Sequence, residues 1–481
     1  MEQTETYSQI KRKSIISTLS LFVQSGYSAF LGLAANLVVT ILLSPKIFGI
    51  YITTLSIISV LNYFSDIGLA ASLVQKKEVT NNDIKTTFTV QQILICSIIS
   101  IGFLLTNFVK SFYKLPSEGI TLYWALLLAF FISSLKTIPS ILLERKIQFQ
   151  KIVLVQIIEN TVFYIAVIIL AFLNFGLLSF AIAVLLRAIV GLIVIYSISF
   201  WIPQIGVSSK SLKKLLSFGL PFQASSFLAL FKDDLIILFL GKILGFEALG
   251  YIGWAKKWAE APIRIIMDNI SRVLFPVFAR IQNDKEKIAH LVEKIIKYQT
   301  SLLAPIILGM ALIMEKVVFI IPKYSKWTPA IPLFYLFCVS AFFSSYSSPF
   351  INLFNALGYA KIPFIFMTVW TISTWILTPL LTKFFGIYGF PITIVIMSVS
   401  SIFVMLKAKK HINFKLIESI NKPILAAFFM GICIYLLLLI IPDPFIGIIV
   451  SIPFGAIIYF FSMKVVFKIN LITELKTLFI K

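Results

Sequence analysis

Four charged residues, Lys256, Glu260, Arg264 and Asp268, recur at steps of four within an otherwise apolar stretch. On a helix this spacing stacks them along one slowly drifting face, with Lys257 alongside. The chemistry open to such a stripe is electrostatic. Alternating signs can neutralise one another as i,i+4 pairs. The basic members can instead meet phosphate oxygens, Arg264 by bidentate contact and Lys256 or Lys257 as point charges. Either arrangement needs water or protein around it, because a charge at a bilayer centre costs on the order of 2.5–3.5 kcal/mol on insertion scales.

The same argument picks out other charges in apolar runs. Lys232, Asp233 and Asp234 are adjacent and fan out in different directions on a helix. Lys136, Glu159 and Arg187 are single charges in long hydrophobic segments. The basic groups of this set join Arg264, Lys256 and Lys257 as candidates for binding an anionic substrate. The acids Asp233, Asp234, Glu260, Asp268, Glu159 and Asp66 are candidates for ion coupling or gating. Asp66 lies in Ser65-Asp66-Ile67-Gly68-Leu69, near a helix C-terminus that disfavours a carboxylate, so a bond to a turn or a neighbouring helix is expected.

Catalytic chemistry finds little support. Cys96, Cys338 and Cys433 are scattered singly, with no pair spaced for zinc or redox work. His290 and His411 fall in basic segments, where a solvated imidazole is the ordinary case. No Ser-His-Asp set or phosphate-cradling glycine loop stands out. The expectation is a non-enzyme with no metal or organic cofactor, and coupling to protons or sodium is left open.

The elements that carry these residues follow from composition. The chain has 481 residues, 59% hydrophobic and 13% charged, and its mean hydropathy is +0.98. A soluble globule carries roughly 25% charged residues. An apolar run of about 20 residues crosses a bilayer core, and such runs recur along the sequence, predicting an all-α membrane protein with about fourteen transmembrane helices. The net charge of +22 would suggest nucleic acid in a soluble protein, but Lys and Arg sit mainly in short gaps between apolar runs, as topology determinants do. With the first helix entering from the inside, the inner gaps and tails hold most of the Lys and Arg, which places both termini in the cytoplasm.

The expected organisation is a cytoplasmic segment (1–14), a six-helix lobe (15–200), a basic linker (201–214), a second six-helix lobe (215–406), two more helices (407–463) and a cytoplasmic tail (464–481). Within the second lobe, Ile288, Leu291, Val292, Ile295 and Ile296 recur among lysines, predicting an amphipathic helix at 284–297 lying on the membrane surface. The halves resemble each other at an offset of about 200 residues: Gly49 and Tyr51 open one helix, and Gly250 and Tyr251 open another of the same direction.

The segments Phe48-Gly49-Ile50-Tyr51, Asp66-Ile67-Gly68-Leu69-Ala70, Asp233-Asp234-Leu235 through Gly241, Ala248-Leu249-Gly250-Tyr251 and Val273-Leu274-Phe275-Pro276 through Gln282 resemble the Wzx-like polysaccharide flippases. Those belong with the MATE-related multidrug and oligosaccharidyl-lipid exporters. The resemblance implies two six-helix lobes with two trailing helices, alternating access, and a cationic lumen. Its substrate would be a polyprenyl-diphosphate-linked oligosaccharide, an O-antigen, capsule or exopolysaccharide unit, carried across a bacterial inner membrane. Partners implied are membrane lipid and the polymerase and glycosyltransferases of the same pathway, with no nucleic acid. Relatives that flip the peptidoglycan precursor use a charged first helix, whereas this chain has no charge between Lys13 and Lys46. Two alternatives stand beside this reading. A MATE-type drug exporter would favour a carboxylate-rich lumen, and a membrane enzyme such as an O-antigen polymerase or ligase would carry a sizeable external loop.

Overall fold

A peptide group in hydrocarbon has no water to bond, so long apolar runs must satisfy their N–H and C=O groups internally, as helices do. The computed structural model describes the backbone of residues 7–359 and 361–467, and the side chains of these except 7–19, 21, 22, 221, 222, 224–229, 268, 269, 272, 273, 275 and 276. Every regular element among the described residues is helical. Eleven are long and apolar enough to cross a membrane. One of them, Lys361–Lys409, is broken by a tight turn at Gly386–Tyr388, and its two parts pack on each other, so it covers two of the expected spans. The spans expected at 215–240 and 248–271 are helical as well, and in the second Lys256, Lys257 and Glu260 interrupt the apolar run.

Local sequence sets the ends of these helices. Pro45–Tyr63 starts with Ser44 accepting the N–H of Ile47, and Pro45 occupies the first turn, where its missing N–H costs nothing. Asn81–Leu104 opens with a reciprocal cap in which Thr80 and Asp83 accept each other's backbone N–H. Asp443 caps Pro444–Phe461 through the N–H groups of Phe445 and Ile446. Between Tyr63 and Leu69 the helix is broken by a turn with Ile67 at φ 44° and Gly68 at φ 79°, a left-handed pair.

The chain divides into two compact units, Met1–Gly250 and Tyr251–Lys481. In the first, the Pro45–Tyr63 helix and the turn after it run antiparallel to the segment 219–250. Along this seam Gly250 meets Pro45, Gly49 meets Phe246 and Gly241 meets Thr53. Farther on, Ser59 donates to Asp234. Tyr63 and Gln223 exchange hydrogen bonds between side chain and main chain, and Gly68 meets Gly219. Both ends of the seam rest on backbone touching backbone. A Cβ at Gly49 would collide with the carbonyl of Phe246, and one at Gly250 with the carbonyl of Pro45. These two clashes are reciprocal, since each glycine faces the residue four positions before the other.

In the second unit, Lys285–Ile320 is one 36-residue helix interrupted only by Pro305. The stretch 284–297, expected as a surface-lying helix, is the beginning of this element. Its apolar stripe is covered by protein, with Ile288, Val292, Ile295 and Ile296 buried in a cluster with Phe278, Phe350 and Phe414. The amphipathic pattern is the same whether oil or protein covers it; here two helices, carrying Phe278 and Phe350, and the segment before Leu416, carrying Phe414, supply the cover.

Replacing Gly49 by Val is expected to destabilise the protein by about 1–3 kcal/mol through overpacking, read as a lowered Tm of the purified protein in detergent. Gly26→Ala, at a position with nothing within 4 Å, should hold or slightly raise it.

Candidate functional site

The charged stripe is aimed by a tryptophan. Trp254 is fully buried, donates its indole N–H to the Tyr324 hydroxyl at 2.8 Å and stacks on Trp327 with centroids 5.6 Å apart. At about 100° per residue, Lys256, Glu260 and Arg264 then lie roughly 200°, 240° and 280° round the helix from that anchor. They form a ladder on the Phe246–Arg280 helix. Lys256 Nζ is 3.8 Å from Glu260 Oε1, and Arg264 Nη2 donates to Glu260 Oε2 at 3.2 Å.

The ladder does not bury its last rung. Arg264 keeps 67% of its side chain exposed, against 27% for Glu260. Lys256 is half-buried, with Nζ 5.9 Å from the ring centroid of Phe390, and Lys257 is half-buried beside it. The Asp268 side chain lies outside the described residues. The arrangement therefore combines internal neutralisation with an exposed guanidinium that can still take a bidentate oxyanion.

In the first unit the candidates separate into local arrangements. Lys136 and Glu159, single charges in sequence, form an ion pair with each other, and Glu159 is buried against Gly191. Arg187 is exposed with its guanidinium 5.8 Å from the ring centroid of Phe163. Lys232, Asp233 and Asp234 occupy a π-helical turn, Phe231–Leu235. As adjacent residues must, they diverge. Asp233 is exposed, Lys232 is half-buried, and Asp234 accepts a hydrogen bond of 2.9 Å from Ser59. Asp66 takes the structural option, its carboxylate accepting the N–H of Ala70 at 3.0 Å and so fixing the turn before Leu69–Gln75.

Lys136, Arg187 and Lys232 thus belong to the first unit, and Lys256, Lys257 and Arg264 to the second. Among the described residues no group of three or more His, Cys, Asp or Glu is placed to hold a metal.

Sequence reasoning passed over Arg145. Its guanidinium donates to the carbonyls of Leu73, Val74 and Lys76 at 2.7, 3.0 and 2.6 Å and to that of Lys77 at 3.1 Å. It closes the C-terminus of Leu69–Gln75, where orphan carbonyls attract a cation. The available signal was a helix end lacking a terminal glycine. Ser59, the partner of Asp234, carried no signal, because a serine in an apolar helix most often bonds its own backbone.

The helices and their exposed charged face define a multi-pass, all-helical membrane protein. The chain belongs to the family described as "Polysaccharide biosynthesis protein", which matches residues 38–332. It is 26% identical over 394 residues to the lipopolysaccharide biosynthesis protein WzxC of Escherichia coli (strain K12), covering 78% of this chain and 77% of that one. It is 22% identical to the succinoglycan biosynthesis transport protein ExoT of Rhizobium meliloti (strain 1021), covering 69% and 67%. Among solved structures, the inward closed conformation of the lipid II flippase MurJ superposes with a TM-score of 0.74 at 14% identity, over 94% of this chain and 99% of that one. An outward-facing MATE-family multidrug transporter superposes at 0.54 and 15% identity, over 83% and 95%. These two likenesses establish the fold.

If the Lys136–Glu159 pair is structural, Lys136→Met alone strands a buried carboxylate and should cost about 3–5 kcal/mol, while Lys136→Met with Glu159→Met recovers most of it. Detergent unfolding of the two single variants and the double variant measures this coupling. Unchanged stability in both single variants would contradict it.

Proposed function

We propose that this protein flips a polyprenyl-diphosphate-linked oligosaccharide from the cytoplasmic to the outer face of a bacterial inner membrane by alternating access. The observation that carries the reading is the two-thirds-exposed guanidinium of Arg264, on a polar helix among apolar spans, in a chain of a polysaccharide biosynthesis family. A diphosphate cannot enter hydrocarbon unaided. Fixed cations in a wet passage offset its desolvation while the lipid tail stays among the helices.

In this reading the chain crosses the membrane fourteen times, with the polar helices at 215–240 and 248–271 among the crossings and both termini in the cytoplasm. Lobes at 15–200 and 215–406, joined by the linker 201–214, move relative to each other, and 407–463 adds two helices. Arg264, Lys256 and Lys257 meet the diphosphate, with Lys232, Arg187 and Lys136 as further cations. Asp233, Asp234, Glu260 and Asp268 are positioned in sequence for proton or sodium coupling. The polymerase and glycosyltransferases of the pathway are the partners. A small-molecule exporter would share the fold, but the polysaccharide relatives favour a sugar cargo.

Arg264→Ala is expected to abolish surface polysaccharide in cells while leaving membrane insertion and protein level intact; normal export removes Arg264 from the site. The orientation is tested separately, in a chain whose native cysteines are replaced by serine. A cysteine placed at Lys114 should react with a membrane-impermeant thiol reagent in intact cells, and one at Lys214 should react only after permeabilisation.

A further inference from the structure

The Lys285–Ile320 helix changes chemistry along a single face. His290, Lys294 and Lys297 border a pocket of about 760 Å³, whose other wall is the start of the Leu416–Ile440 helix with Lys415 and Lys422. From Tyr298 onward the same face, through Pro305, Gly309 and Ile313, lines a second cavity of about 450 Å³. Tyr298 borders both. The second cavity is walled by the Leu416–Ile440 and Pro444–Phe461 helices, with Ile434 and Ile452 among its apolar contacts. From Tyr298 to Ile313 the helix rises roughly 22 Å at 1.5 Å per residue. At Gly309 there is open space, with no atom within 4 Å of where a Cβ would stand.

The first pocket is basic. Lys294, Lys297, Lys415 and Lys422 face two carboxylates, Glu293 and Glu418. Both carboxylates already serve the protein. Glu418 lies 3.2 Å from Lys415 Nζ, and Glu293 accepts the backbone N–H of Lys415 at 2.7 Å. A cationic pocket that adjoins a hydrocarbon-lined trough at Tyr298 is complementary to a phosphate headgroup on an acyl tail, and basic pockets between transmembrane helices hold such headgroups.

We propose that this composite groove binds an anionic phospholipid of the surrounding membrane, its phosphodiester against Lys297 and Lys422 and an acyl chain laid past Gly309. Dispersed ammonium groups suit a singly charged phosphodiester. A diphosphate carrier would favour a bidentate guanidinium, and no arginine lines the pocket. This site is independent of the transport reading, since binding is measured without cargo.

The test uses the full chain purified in detergent, with native mass spectrometry and thermal unfolding. Phosphatidylglycerol should remain bound and raise the Tm, whereas phosphatidylcholine and inorganic phosphate at equal concentration should not. The double variant Lys297→Ala, Lys422→Ala should weaken phosphatidylglycerol binding about tenfold or more, and Gly309→Leu should do the same from the apolar half. The lipid-free Tm of the lysine variant reports that it is folded, so it decides the matter even if Gly309→Leu fails to fold. Equal stabilisation by phosphatidylcholine, a shift with phosphate alone, tighter binding of a polyprenyl phosphate than of phosphatidylglycerol, or wild-type binding by the lysine variant would each overturn the proposal.

Discussion

The first unit depends on close approach between two stretches of main chain about 150 to 200 residues apart. Gly49 and Gly250 let the carbonyls of Phe246 and Pro45 come where any side chain would collide, and Gly68 and Gly219 do the same at the far end of the seam. Between these contacts Asp234 accepts a hydrogen bond from Ser59 across the seam. The π-helical turn at Phe231–Leu235 places that carboxylate beside Ser59, and such wider turns inside α-helices are frequent at functional sites. Without the glycine contacts the helices would be held apart by at least a methyl group, and the Asp234–Ser59 and Tyr63–Gln223 bonds would lengthen beyond hydrogen-bonding reach.

The second unit solves a different problem, how to keep charges on a helix surrounded by oil-facing neighbours. Trp254, buried against Tyr324 and Trp327, fixes the rotation of its helix, and the ladder Lys256–Glu260–Arg264 follows on the other side. Partial neutralisation lowers the cost of the stripe, while the exposure of Arg264 leaves one group able to act on something outside the helix. Neutralised and exposed charges are successive rungs of the same row.

Much of this was legible in the sequence because it is local. Span lengths and the i,i+4 spacing from Lys256 to Arg264 depend on residues close in the chain. Asp66 beside Gly68 already signalled a carboxylate held by a turn. What stayed hidden requires knowing which distant segments meet. Lys136, in the turn between the Ser117–Ser134 and Thr137–Arg145 helices, and Glu159, on the Phe149–Phe172 helix, are 23 residues apart and looked solitary. The stripe from Ile288 to Ile296 announced an apolar face without saying that Phe278, Phe350 and Phe414 would cover it. Arg145 gave no sign that it would gather four carbonyls, because nothing in its own neighbourhood specifies them.

A join made of main chain asks little of the alphabet. It requires a hydrogen in place of a side chain at a few points and is indifferent to the identity of most residues between them, provided they remain greasy. Two chains could therefore drift apart at the great majority of positions and still fold these helices together in the same register, which is one physical route by which a shape outlasts the wording that encodes it.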